Sequence, residues 1–126
     1  MPRILLVEDN PILQNSFLNV FKHLWRAVVI ASSQQEAFDV ISSRDTLHAL
    51  ITDTRLPLIP WSAPNTMDSS AWFEIAQVFR QKFPQGKVIA MSLSEWSWWK
   101  AGENCDVFVN KADIAEYLYE VFDCAS

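Results

Sequence analysis

The sequence predicts an α/β fold in which a doubly wound, five-stranded parallel sheet carries five helices on its two faces. Five apolar runs of strand length alternate with segments of helical period, the pattern that produces βαβ units. Each run is apolar throughout, as expected for strands covered on both faces. The 126 residues are 50% hydrophobic, which fits one globular domain spanning 1–126.

The first elements follow from this alternation. The five candidate strands lie at 4–7, 28–30, 49–51, 88–90 and 107–109. Between the first two runs, apolar residues recur at helical spacing, and Pro11 suits a first helical turn. A second helix follows Ser32 and Ser33, either of which can serve as its N-cap.

Three further helices complete the prediction. One runs from about Ser70 and stops before Pro84. A weaker one lies between 95 and 101 and is ended by Gly102. The last carries an apolar stripe at the spacing i, i+3, i+4, i+7, i+8, formed by Ile114, Tyr117, Leu118, Val121 and Phe122.

Composition limits the classes of partner. Ten basic against fifteen acidic side chains give a charge of -5, and no basic block stands out, so direct nucleic-acid binding is disfavoured. Cys105 and Cys124 lack metal-site spacing and are expected to be free thiols in a reducing cytoplasm. The first apolar run is too short for a signal peptide or a membrane span. We therefore expect a cytoplasmic protein without membrane contact.

Polar residues follow four of the strands at one edge of the sheet. Glu8 and Asp9 come after the first run and Asp53 after the third. A single aspartate there is as readily a cap or turn residue, but three carboxylates at neighbouring strands repel one another unless a cation intervenes, and Mg²⁺ suits oxygen ligands. Ser92 and Lys111 end the fourth and fifth runs and could donate to a phosphoryl group on Asp53.

Four segments in this order resemble the motifs of the response-regulator receiver family, of the chemotaxis-type single-domain kind. They are 5–10 (LLVEDN), 50–57 (LITDTRLP), 88–92 (VIAMS) and 106–111 (DVFVNK). The resemblance covers nearly the whole chain and implies a flavodoxin-like strand order of 2-1-3-4-5. It also implies phosphorelay signal transduction, in which a histidine kinase or phosphotransfer protein donates a phosphoryl group and the receiver then changes its binding to a downstream protein or a second copy.

Residue roles follow from the resemblance. It makes Asp53 the phosphoacceptor, and it places Mg²⁺ between the side chains of Glu8, Asp9 and Asp53 and the backbone carbonyl of Arg55. A metal-dependent phosphatase would share the aspartyl chemistry but needs a second catalytic acid near the nucleophile. Arg55, two residues after Asp53, argues against that reading. The resemblance thus implies a signalling domain with only self-catalysed phosphorylation and dephosphorylation.

The resemblance further implies that Ser92 and Lys111 contact the phosphoryl oxygens. Phe108 matches a position on the fifth strand where an aromatic side chain turns inward on activation. A plain core phenylalanine is the equal alternative for Phe108.

The sequence departs from the family pattern after the acceptor strand. Pro57 and the matching Met67-Asp68 are separated by roughly eight extra residues, well beyond a usual short connection. Ser69 replaces the customary glycine. The enlarged loop either packs as a local flap or docks a partner through its apolar segment 58–61.

Two further departures lie at the same edge of the sheet. Leu93 stands where a small residue is usual and could narrow the passage for a phosphodonor. Ala112 stands where a proline usually follows the lysine, and a cis bond to a non-proline residue costs about 2.5 to 4 kcal/mol. Either that bond is trans or the fold tolerates strain there.

Trp96, Trp98 and Trp99 lie within one turn of the predicted helix at 95–101. Successive helical residues are rotated by about 100°, so Trp98 points away from the face shared by the other two. An exposed indole favours a docking or dimer surface, whereas burial of all three would make them core. This cluster and the enlarged loop also support a rival hypothesis, an atypical receiver that binds its partner without phosphorylation.

Overall fold

The computed structural model describes residues 3–23, 27–54, 71–92 and 105–118. Five parallel strands form one sheet within these ranges. They are β1 (Arg3–Val7), β2 (Ala27–Ala31), β3 (Ala49–Asp53), β4 (Lys87–Ser92) and β5 (Val107–Asn110). The strand order is β2-β1-β3-β4-β5 and every neighbouring pair is parallel. The predicted α/β class and the order 2-1-3-4-5 are confirmed.

Four α-helices connect or follow the strands in the described ranges. They are α1 (Pro11–His23), α2 (Gln34–Ser43), α3 (Ala71–Lys82) and α4 (Ile114–Leu118), the last preceded by a 3₁₀ turn over Lys111–Asp113. Each corresponds to a predicted helix, whereas the helix expected at 95–101 lies outside the described residues. None of these four helices has the length and apolarity that a membrane crossing would need.

Polar side chains define the helix starts. Asn10 precedes α1, and its Oδ1 accepts a hydrogen bond from Ile12 N at 2.9 Å. Ser33 is the N-cap of α2, since its hydroxyl accepts from Glu36 N at 3.2 Å. Glu36 Oε2 in turn accepts from Ser32 N at 2.7 Å. The bonds of Ile12 N and Glu36 N satisfy backbone donors that a helix N-terminus leaves without partners, and the bond of Ser32 N attaches the residue before the cap to α2.

Two apolar clusters cover the two faces of the sheet. Alternate side chains of a strand point to opposite faces. One face therefore presents residues such as Leu5, Leu50 and Val88 to α2 and α3. The other presents Ile4, Ile51 and Ile89 to α1 and α4. The three central strands are almost wholly buried, whereas β2 and β5, at the edges, are largely half-buried.

The turn between α3 and β4 requires a glycine at position 86. A Cβ added to Gly86 would lie 2.6 Å from two ring atoms of Phe79, which is itself fully buried. Gly86 N also donates to Phe83 O at 2.9 Å. The close approach of backbone and ring therefore depends on the missing side chain.

Asp106 attaches the start of β5 to β4. Its backbone N donates to Val88 O at 2.8 Å, and its Oδ2 accepts from Val88 N at 2.7 Å. Arg80 Nη2 lies 3.4 Å from Asp106 Oδ1. The position of β5 matters for the site because Lys111 follows directly after it.

Candidate metal centre

The parallel register brings two carboxylates to the same level of the sheet. Val7 pairs with Thr52 in the β1–β3 ladder, so Glu8 and Asp53 each lie one residue beyond a matched pair. Glu8 N also donates to Ala31 O at 3.0 Å, which continues the pairing with β2 past the end of β1. Parallel strands end at a common edge, and these two side chains therefore converge.

Three carboxylates form a compact group at this edge. One ligand atom from each of Glu8, Asp9 and Asp53 lies within 4.8 Å of the others. Glu8 and Asp53 are buried and Asp9 is half-buried. The predicted convergence of these three residues is confirmed.

Lys111 supplies a cation to this group. Its Nζ lies 2.7 Å from Asp53 Oδ2 and 3.0 Å from Glu8 Oε2. The side chains of Lys111 and Asp53 are only 8% and 9% exposed, so water screens the contact little. Lys111 offsets one of the three negative charges and leaves the group acidic overall.

Burial and charge shift the pKa values of two members. Burial first, and then the nearby Asp53 charge, raise the pKa of Glu8 from 4.5 to about 7, against the opposing effects of Lys111 and of the hydrogen bond from Asn10 N. For Lys111, burial alone would lower the pKa, but the hydrogen bond to Asp53 and the negative charges of Asp53 and Glu8 outweigh it and raise the pKa. Lys111 therefore stays charged at neutral pH, and Glu8 lies near its midpoint.

The donor set suits a hard divalent cation. All three groups offer carboxylate oxygens, the ligands that Mg²⁺ and Ca²⁺ prefer. Glu8 Oε2 is buried and contacts Lys111, yet it receives no hydrogen bond of good geometry from the described residues. A buried oxygen with spare acceptor capacity beside like charges gains from a cation. Glu8, Asp9 and Asp53 could thus hold a metal ion.

Ser92 and Phe108 lie on the two neighbouring strands β4 and β5. Ser92 ends β4, is buried, and pairs with Asn110, the residue before Lys111. Phe108 pairs with Ala90, so Ser92 and Phe108 are diagonal neighbours on the face that packs against α2 and α3. Phe108 is half-buried against that apolar cluster. Its position fits both readings, a switch residue and a core residue.

Several predicted features fall outside the described residues. These are the backbone carbonyl of Arg55, the enlarged loop after it, Leu93, and the cluster of Trp96, Trp98 and Trp99. Their proposed roles stay predictions.

Gln14 is a contributor that sequence reasoning missed. Its Nε2 donates to the backbone carbonyl of Glu8 and, at 3.1 Å, to Ser32 Oγ. Nothing in the sequence distinguishes this glutamine from a solvated one, because a polar residue on an amphipathic helix ordinarily faces water. Only the packing of α1 beside the loop after β2 reveals the contact.

Comparison with solved structures identifies the architecture. The response regulator protein TrrA from Thermotoga maritima, in complex with Mg²⁺-BeF, matches with a TM-score of 0.78 at 20% identity, over 100% of both chains. A CheY-like receiver domain from Methylobacillus flagellatus matches with a TM-score of 0.78 at 19% identity, over 100% of this chain and 99% of its own.

A third similar structure is the receiver domain of a sensor histidine kinase from Pseudomonas aeruginosa, solved with a magnesium ion in its active site cleft. It matches with a TM-score of 0.66 at 19% identity, over 97% of this chain and 98% of its own. No protein-family model matches the sequence, and comparison with curated proteins finds no match. At these identities the similarity is one of fold, and this chain has the fold of single-domain response-regulator receivers.

Proposed function

We propose that residues 1–126 form a receiver domain of a two-component system and that Asp53 is its phosphoacceptor. One observation carries the proposal: Asp53 lies at the carboxyl end of a central strand, 2.7 Å from Lys111 and grouped with two more carboxylates. An aspartate that only capped a turn would need neither a buried lysine nor an acidic pair beside it. The phosphodonor is a phosphohistidine of a histidine kinase or phosphotransfer protein.

The transfer exchanges one bond to phosphorus for another. A carboxylate oxygen of Asp53 attacks the phosphorus while the P–N bond of the phosphohistidine breaks, and the leaving imidazole takes the electron pair and then a proton from solvent. Lys111 stays protonated and places its positive charge beside the anionic oxygens, and the hydroxyl of Ser92 donates to them. Attack of water on phosphorus later releases inorganic phosphate and restores the carboxylate.

Glu8, Asp9 and Asp53 would hold Mg²⁺ together with the backbone carbonyl of Arg55. When bound, the ion would supply positive charge that offsets the negative charge of the site during transfer. The oxygen-only donor set and the buried Glu8 oxygen support this assignment. Two proteins with the same fold, TrrA and the Pseudomonas receiver, were solved with magnesium.

The effect of phosphorylation on the protein surface would be transmitted by side chains of the β4–β5 ladder. Ser92 ends β4, and Phe108 is its diagonal neighbour on the same face. Movement of the Ser92 hydroxyl toward a phosphoryl group would leave room for the Phe108 ring, which is only half-buried. The modified surface would then bind a downstream protein or a second copy of the chain differently.

Intact-mass measurement tests the proposal. The protein is incubated with Mg²⁺ and acetyl phosphate, and we expect a gain of one phosphoryl group that hydroxylamine removes, as it does from acyl phosphates. Asp53→Asn abolishes the gain. Asp39→Asn, the same change at an exposed position of α2, should leave it unchanged.

A stable native protein that gains no phosphoryl group, from acetyl phosphate or from a phosphorylated histidine phosphotransfer domain, would refute the proposal. The phosphorylation-independent interaction module would then be the better hypothesis. A gain that persists in Asp53→Asn would place the modification on another residue.

A further inference from the structure

The side-chain amide of Gln14 joins two loops at the edge of the metal centre. From the second turn of α1 it donates to the backbone carbonyl of Glu8 in the loop after β1 and to Ser32 Oγ in the loop after β2. The first of these loops also carries Asp9. The side-chain amide of Gln14 hydrogen-bonds neither Asp53 nor a carboxylate oxygen of Glu8 among the described residues.

A short chain of bonds fixes Gln14 relative to the Glu8 side chain. Gln14 N donates to Asn10 O at 3.0 Å, and Asn10 N donates to Glu8 Oε1 at 3.2 Å. The segment from Glu8 to Gln14 is thus held together by backbone bonds and by side-chain bonds. Ser32 N in turn donates to the Glu36 side chain of α2. The loop after β2, which Gln14 bonds, is therefore itself fixed to a helix.

The hydrogen bond from Gln14 opposes the electrostatic repulsion between the carboxylates of the site. The carboxylates of Glu8 and Asp9 face that of Asp53 within 4.8 Å, and like charges at that separation push the loop after β1 away from β3. A hydrogen bond to the Glu8 carbonyl opposes that displacement without occupying a carboxylate oxygen. The metal ligands can then stay close together before a cation arrives.

We propose that Gln14 is a positioning residue that sets the affinity of the site for Mg²⁺ by holding the loop of Glu8 and Asp9 in its binding geometry. The inference rests on the proposed function for the presence of Mg²⁺, and it assigns to Gln14 a role that the receiver resemblance does not supply. Loss of an outer-shell partner typically weakens a metal site about 10- to 100-fold. Because Gln14 bonds the main chain of a ligand residue, we expect the low end of that range.

The test compares two glutamine-to-methionine variants by calorimetric titration with MgCl₂ at pH 8. Gln14→Met keeps the length of the side chain and removes its donor, and should raise the Mg²⁺ Kd about tenfold. Gln35→Met makes the same change at an exposed position of α2 and should leave the Kd within a factor of two. Urea unfolding of each variant in EDTA shows whether stability alone changed.

A Ser32→Ala variant separates the two contacts. It removes the hydroxyl acceptor and keeps the bond from Gln14 to the Glu8 carbonyl, so its Kd should lie between those of the native protein and Gln14→Met. Equal loss in Ser32→Ala and Gln14→Met would assign the effect to the loop after β2 and overturn a role for the Glu8 carbonyl.

A measurement on the native protein covers the case in which Gln14→Met does not fold. In ¹H–¹⁵N spectra, the side-chain amide protons of Gln14 should remain dispersed and slow to exchange in EDTA, and should shift on addition of MgCl₂. Solvent-like amide protons would overturn the proposal. If the native protein binds Mg²⁺ and Gln14→Met binds it equally, this inference fails alone; if the native protein binds none, the proposed metal-dependent function fails instead.

Discussion

Replacing Glu8 with glutamine should change the pH dependence of stability in the metal-free protein. Burial and the neighbouring Asp53 raise the pKa of Glu8 from 4.5 to about 7. Between those values the folded protein keeps a proton that the unfolded chain releases, so the free energy of unfolding falls as pH rises through this window and levels off above it. Glutamine copies the protonated carboxyl in size and charge and cannot titrate.

The magnitude follows from the width of the window. Each pKa unit corresponds to about 1.36 kcal/mol, so the Glu8 contribution to the free energy of unfolding should fall by about 2 to 3 kcal/mol between pH 5 and pH 8. The Glu8→Gln variant lacks this loss. Its stability relative to the native protein should therefore rise by the same amount over that range.

The assay is urea unfolding in EDTA at pH 5, 6, 7 and 8 for both proteins, with the stability difference between them plotted against pH. Titrating groups away from Glu8 cancel in the difference because both chains carry them, and Lys111 stays charged over this pH range. His48 lies at the opposite end of the strands, where its Nδ1 accepts from Arg3 N, and His48→Gln is a control for a polar substitution away from the site. Parallel curves for native and Glu8→Gln protein would show that Glu8 ionises as freely when folded as when unfolded, and the electrostatic reasoning would be wrong.

Three further outcomes are expected. Free Mg²⁺ at 100 times its Kd should raise the free energy of unfolding by about 2.7 kcal/mol; an equal rise in Asp9→Ala would exclude this site as its origin. Gly86→Ala should cost about 1 to 3 kcal/mol in urea unfolding, because its Cβ meets the buried Phe79 ring; a neutral result would mean that the ring moves freely. Ser33→Ala should cost about 1 kcal/mol, with faster amide exchange at Glu36, whose N–H it leaves without its acceptor; unchanged exchange would contradict the cap.

The sheet and the convergence of the site were predictable from the sequence. Continuous apolar runs indicate strands buried on both faces, and parallel strands end at a common edge, so residues that follow them meet there. The strand order that places Glu8, Asp53 and Lys111 near one another came from the resemblance to receivers, since apolar runs alone do not give an order. Pro11 and the serine pair before α2 fixed two helix starts by local chemistry alone.

The features that the sequence could not predict depend on contacts between individual side chains. The burial of Glu8 and its raised pKa come from how closely Asp53 and the sheet edge surround it, which no periodicity reveals. The two acceptors of the Gln14 amide lie six and eighteen residues away in the sequence. In an isolated helix, water could accept the same hydrogen bonds. The exact strand ends also required the structure, since Asp53 and Ser92 are the last residues of their strands.

The site combines residues that are far apart in the sequence and are therefore synthesised at different times. Lys111 and Asp53 contact one another across 58 residues, and at about 5 to 20 residues per second the ribosome adds the lysine roughly 3 to 12 s after the acceptor. A nascent chain that has paired β1 with β3 therefore holds Glu8 and Asp53 side by side before their lysine exists. During that interval the acidic edge must be tolerated by protonation or by cations from solution, so β5 and the lysine that follows it are the last parts of the site to be added.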